Sequence, residues 1–236
     1  MTDSPPSIAI IGGTGALGGG LAARWAQAGH AVIIGSRSPD KAARAAAAIE
    51  AGAGAPSVRG MGNAEAAAAG DIVVVTVPYA NHTTILDQIG AAVRGKIVVD
   101  ATVPLTPPKV GTARLPEHGS AAQAAQAILG AGAVVVSALH NVAAHKLAKA
   151  APIDCDVLVC SDDEAARAAV VALVRALGLR GLHAGPLANS AAAEALTSVL
   201  ITINRRYKVD GAGIRITGDL ADDLADDLAD DLAGGG

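Results

Sequence analysis

Ile8-Ala9-Ile10-Ile11-Gly12-Gly13-Thr14-Gly15-Ala16-Leu17-Gly18 is an apolar run that turns through glycines into a helix. A buried strand followed by G-x-G-x-x-G, here Gly13, Gly15 and Gly18, suits a dinucleotide pyrophosphate held at a helix N-terminus. Gly13 permits the tight turn, Gly15 lets the backbone approach the phosphates, and Gly18 lets helix and strand pack closely. Glycine-rich turns are common, so the flanking residues decide the reading. Leu17, Leu21 and Trp25 recur at every fourth position, one face of a helix that Gly29 ends. Residues 31–34 then read as a second strand, buried on both faces. Strand, turn, helix and strand within about 30 residues make a βαβ unit, and the loop becomes a dinucleotide site.

The residues after that second strand choose the dinucleotide. An NAD-binding unit usually places Asp or Glu there for the ribose hydroxyls. This chain has Gly35-Ser36-Arg37, with Lys41 one helical turn further on. A hydroxyl, a guanidinium and an ammonium suit a 2′-phosphate, whereas a carboxylate would repel it. The expected cofactor is NADP.

The rest of the chain repeats the alternation of strand and helix. Helices are expected over residues 39–53, 61–69, 81–93, 120–129 and 162–177, and strands over 71–77, 96–99, 134–138 and 154–160, with a short extended piece at 182–184. This pattern implies an α/β fold: a Rossmann-like, doubly wound, mostly parallel sheet with a C-terminal helical segment. Ligands in such sheets lie at the carboxyl ends of the strands. The loops Pro78-Tyr79-Ala80-Asn81 and Ala101-Thr102-Val103-Pro104-Leu105 follow two such ends and are expected to contact the nicotinamide half of the cofactor. A third end carries Leu139-His140-Asn141-Val142-Ala143-Ala144. His140 is open to two roles there, proton transfer or a positioning hydrogen bond, and no acidic residue stands near it in sequence to orient it. A long helix from 190 towards 204 is apolar on more than one face, so it is expected to bury against the sheet or a second subunit, as in a homodimer.

Composition narrows the class. Apolar residues make up 51% of 236, but Trp25, Tyr79 and Tyr207 are the only aromatics, so the core must be built from Ala, Val, Leu and Ile. Seven of the 22 acidic residues fall in the last 18 positions, leaving 15 acids against 18 Lys and Arg elsewhere. That small, dispersed excess argues against nucleic-acid binding and accommodates a polyanionic small molecule. Cys155 and Cys160, five apart in one strand, point to opposite faces and read as free buried thiols in a reducing compartment. No signal peptide or membrane span is evident, so a cytoplasmic protein is expected. The expected organisation is an NADP-binding Rossmann domain at 7–150, an α/β segment closing the substrate side at 151–218, and a disordered acidic tail at 219–236.

The glycine loop 12–18, Gly35-Ser36-Arg37 with Lys41, and the Val77-Pro78 turn resemble those of the NADPH-dependent reductases of the 8-hydroxy-5-deazaflavin coenzyme F420. So do Ser137-Ala138-Leu139-His140 and Ala184-Gly185-Pro186-Leu187-Ala188-Asn189-Ser190, in order across residues 7–206. The resemblance implies reversible hydride transfer between the deazaflavin and NADP, with neither metal nor covalent nucleophile. It implies that Gly13, Thr14, Gly15, Ala16, Leu17, Ser36, Arg37 and Lys41 hold NADP, that Pro78, Tyr79, Val103 and Ala144 contact it further along, and that His140, Asn141, Val142, Leu187 and Asn189 shape the deazaflavin site. This chain has Val142-Ala143-Ala144 where the family more usually has a proline. Two other classes remain open on the residues alone: an NADP-dependent reductase of an imine, a ketoacid or another flavin, and a non-catalytic NADP sensor.

Overall fold

A computed structural model describes residues 5–53, 58–149, 151–218 and 220. In chain order the elements are β1 (Ile8–Ile11), α1 (Ala16–Gln27), β2 (Val32–Ser36), α2 (Pro39–Ala53), β3 (Val58–Gly62), α3 (Asn63–Ala69), β4 (Ile72–Val75) and α4 (His82–Ile89). They continue as β5 (Ile97–Asp100), α5 (Ala121–Leu129), β6 (Val134–Ser137), α6 (Ala144–Leu147), β7 (Asp156–Val159), α7 (Glu164–Ala176), β8 (Arg180–His183) and α8 (Ser190–Tyr207).

Six strands form one sheet in the order β3-β2-β1-β4-β5-β6, every pair parallel. This is the Rossmann order, and it reverses between β1 and β4, where the loops diverge and leave a crevice. Strands β1, β2 and β4 are buried at every residue, as strands covered by helices on both faces must be. Alternation divides the core. Ile8 and Ile10 face one layer with Trp25, while Ala9 and Ile11 face the other with Ile85 and Leu86.

Strands β7 and β8 pair with each other and meet the main sheet through an antiparallel bridge between Ser137 and Cys160. Residues 151–218 share the core of the first layer, to which they add Val157, Val170 and Leu177. Two polar anchors hold this packing. Trp25 Nε1 donates to the Leu173 carbonyl at 2.9 Å, and the Arg24 guanidinium donates to the carbonyls of Leu147, Leu177 and Lys149 at 3.0, 3.0 and 2.6 Å. One cation thus caps the ends of both α6 and α7 against α1.

Three expectations are corrected. Residues 61–69 are not one helix: β3 runs through Gly62 and α3 starts at Asn63. The second strand continues two residues beyond Ile34, so Gly35 and Ser36 belong to β2 and are buried. The helix expected over 81–93 is a 3-10 turn at Tyr79–Asn81 followed by α4, which ends at Ile89. Cys155 and Cys160 are buried free thiols. Apart from Leu220, the acidic tail expected at 219–236 falls outside the described residues. No helix among the described residues is long and apolar enough to cross a membrane.

Candidate active site

The glycine loop is held open by its own backbone. The Gly35 carbonyl accepts from both Gly12 N at 3.1 Å and Gly13 N at 3.2 Å, and Gly15 N returns to Gly12 O at 2.9 Å. Gly12 has φ +83°, and an added Cβ would lie 3.0 Å from the Thr76 carbonyl, so the residue needs both the left-handed conformation and the missing side chain. At Gly18 a Cβ would come within 2.7 Å of Gly13 Cα and Thr76 Oγ1, which is the close packing of helix on loop that the motif requires. Thr14, Gly15 and Ala16 are exposed, and Gly15, the N-cap of α1, supplies no side-chain cap. The first N–H groups of a helix have no partner within it. With no acid in that turn, the helix presents donors and a positive dipole end to an incoming anion.

Beside it, Ser36 ends β2 and its hydroxyl accepts from Ser38 N at 3.2 Å, shaping the turn into α2. Arg37 and Lys41 are exposed at that turn. Among the described residues no carboxylate lies within ion-pair distance of either. Arg37 directly follows β2 and Lys41 lies in the first turn of α2, and β2 is the parallel neighbour of β1, the strand that leads into the glycine loop.

The remaining site residues line the ends of β4, β5 and β6. Thr76 holds the first of these against the loop, donating from N and Oγ1 to Ile11 O at 2.9 and 3.0 Å. Pro78 is exposed and Tyr79 half-buried, its ring stacked on the His82 imidazole. Val103 is half-buried after β5, and its carbonyl accepts from Leu105 N at 2.7 Å. After β6 the backbone turns sharply at Leu139, which has φ +73°. That conformation is uncommon and costly for a residue other than glycine. His140 is buried, and burial pushes its imidazole down to about 4, against the charge and backbone carbonyl of Asp100. At neutral pH the ring is therefore uncharged. Its Nε2 has no hydrogen-bond partner among the described residues. Ala144 opens α6, which packs on α1 so closely that a Cβ on Gly20 would reach Leu147 Cβ at 2.7 Å.

The residues expected to shape a second ligand site are not all brought together. Val142 packs in the first core layer and Leu187 in the second, on opposite sides of the sheet. Asn141 is buried with its amide committed to the Asp156 carbonyl at 2.7 Å and Cys155 Sγ at 3.1 Å. Asn189 is exposed and bonds the Ala184 carbonyl at 2.7 Å.

Three buried ionisable groups nearby escaped the sequence reading. His82 and Asp100 pair at 2.6 Å, both almost fully buried. Glu194, from α8, accepts from Ala121 N at 2.7 Å and Ala122 N at 3.0 Å and so caps α5. Burial pushes its carboxyl up to about 7, despite those two hydrogen bonds. A lone acid inside an apolar helix was the available signal for Glu194, since such groups persist only when partnered.

Comparison with known proteins agrees with this geometry. Residues 7–104 match the family described as NADP oxidoreductase, coenzyme F420-dependent. The chain is 42% identical to the F420-dependent NADP reductase of Methanothermobacter thermautotrophicus over 218 residues, covering 89% of this chain and 94% of the relative. It is 40% identical to the F420-dependent NADP reductase of Methanocaldococcus jannaschii, covering 89% and 97%. A crystal structure from Arthrobacter sp. FB24, described as a candidate F420-dependent NADP-reductase, superposes with a TM-score of 0.74 at 28% identity, covering 90% of this chain and all of that one. The chain belongs to the coenzyme F420-dependent NADP oxidoreductase family.

Proposed function

We propose that this protein transfers hydride reversibly between NADP(H) and the deazaflavin coenzyme F420. The observation that carries the reading is the N-terminus of α1, which has no side-chain cap, after the strand next to the one that leads to the exposed cations Arg37 and Lys41. A dinucleotide with a 2′-phosphate is the ligand that uses both. The N–H groups after Gly15 receive the pyrophosphate, and Ser36, Arg37 and Lys41 receive the 2′-phosphate. The F420 partner is supported by relatives that bear that name.

In the reaction a hydride moves between nicotinamide C4 and deazaflavin C5, while solvent exchanges the accompanying proton. The protein's part is to hold two rings at contact distance and keep water away. His140 suits a positioning role. A ring that holds its second proton only below about pH 4 is a poor general acid at neutral pH, whereas the free lone pair on Nε2 accepts a hydrogen bond from a ligand. Val142 ends the turn after β6 and Ala144 opens α6 two residues on, so both would stand beside the ligand that His140 positions.

A homodimer through α8 is the assembly we favour, because that helix leaves two large apolar side chains exposed, Val199 and Tyr207; the buried free thiols fit a reducing cytoplasm.

Deuterium transfer tests the function. NADPH deuterated at C4 should deliver its label to C5 of reduced F420 in one turnover. Label that instead reaches an imine, a ketoacid or a common flavin, but never F420, would favour the other reductases. NADP binding with no label transfer to any acceptor would favour a sensor.

A further inference from the structure

The His82–Asp100 pair has no role in the reading above, yet its connections reach both loops expected to flank the nicotinamide. On one side His82 opens α4 directly after the turn Tyr79–Asn81, and the Tyr79 ring stacks on the imidazole with centroids 6.2 Å apart and planes at 27°. On the other side Asp100 is the last residue of β5. Its Oδ2 meets His82 Nε2 at 2.6 Å, and its Oδ1 accepts from the buried Thr102 N at 2.9 Å. One carboxylate therefore holds both His82, on whose ring Tyr79 stacks, and the segment that leads to Val103. The Asp100 carbonyl also accepts from Ala138 N at 3.2 Å, just before His140.

We propose that His82 and Asp100 are positioning residues for hydride transfer, tying the loop after β4 to the loop after β5 so that the two walls of the nicotinamide site keep one spacing. This rests on the reading of the crevice as the site of an NADP reductase. Physical arguments favour that role over simple stabilisation. Burial disfavours a charged His82, and the positive end of α4 opposes it further. The hydrogen bond and charge of Asp100, with the charge of Glu194 from α8, more than offset the burial. Buried pairs of this kind are often replaceable by apolar residues without loss of stability, so stability alone gives the fold little need for one. Hydride transfer does have such a need, since a misplacement of about 1 Å costs about a hundredfold in rate.

The test uses His82→Gln, Asp100→Asn and the double variant His82→Leu with Asp100→Leu, in the full-length protein. Folding is checked by circular dichroism, NADP affinity by titration, and hydride transfer by single-turnover mixing of reduced F420 with saturating NADP. The double variant and Asp100→Asn should bind NADP within about threefold of wild type, while transfer at saturation falls by about tenfold or more, with a larger deuterium isotope effect. Gln retains a donor that reaches Asp100, so His82→Gln should keep most of the rate. Wild-type transfer rates and isotope effects in the folded Asp100→Asn variant would overturn the proposal. So would a loss confined to NADP affinity with transfer at saturation unchanged. If wild type itself transfers no hydride, the reading of the site fails and takes this proposal with it; variants that match an active wild type defeat the proposal alone.

Discussion

Arg37 bears most directly on cofactor choice, because it stands exposed at the end of β2 and no described carboxylate neutralises it. Arg37→Asp places a like charge against a 2′-phosphate. NADP affinity should fall by about 1.5–3 kcal/mol, the range for hydrogen bonds to charged groups, while NAD affinity changes much less. Titration with both dinucleotides checks this, and an unchanged preference for NADP would contradict the phosphate assignment. The place of Arg37 directly after β2 was legible in the sequence because its signal is local, an apolar run that ends in Gly35-Ser36. His82, Asp100 and Glu194 were not. Their meaning lies in partners 18 residues away for His82 and about 70 for Glu194, and only the packing of α4, β5, α5 and α8 brings those together.

Among the elements, β3 shows where the pattern fails and why. Val58-Arg59-Gly60-Met61-Gly62 carries two glycines and one β-branched residue, a weak strand signal, and the alanines beyond it extend a helical one backwards. As an edge strand, β3 buries only Val58 fully, the other four residues being half-buried or exposed, and it needs little apolar character. Gly60 has a packing reason to be glycine. A Cβ there would lie 2.2 Å from the backbone C and O of Ala42 in α2, and backbone cannot swing aside as a side-chain tip can. Gly60→Ala should therefore destabilise the protein by about 1–3 kcal/mol. Since α2 carries Lys41, displacing that helix should also weaken NADP, so thermal melting and NADP titration are to be read together. A variant as stable as wild type would contradict the close approach of α2 to β3. The βαβ unit at the N-terminus, by contrast, was readable because strand, glycines and helix stripe agree within one short stretch.

Taken as a whole molecule, the protein combines opposing pH dependences in one core. Glu194 titrates near pH 7 when folded against an ordinary 4.5, so the folded protein holds a proton that the unfolded chain has released. Its contribution to stability is complete below about 4.5 and is lost as pH rises through about 7. His140 runs the other way: its folded value of about 4 lies below the ordinary 6.5, so its contribution is complete above 6.5 and lost as pH falls through 4. The melting temperature of Glu194→Gln, measured relative to wild type, should shift in favour of the variant between pH 4.5 and about 7 and be level on either side. A difference that does not vary with pH would show that Glu194 is not held protonated by burial. The most direct measurement is stopped-flow absorbance on mixing the enzyme and reduced F420 with NADP or with NAD. The account predicts that NADP oxidises the deazaflavin in a single enzyme-dependent phase, with one NADPH formed for each F420 and NAD reacting far more slowly. Reduced F420 that persists while the enzyme is saturated with NADP would contradict it.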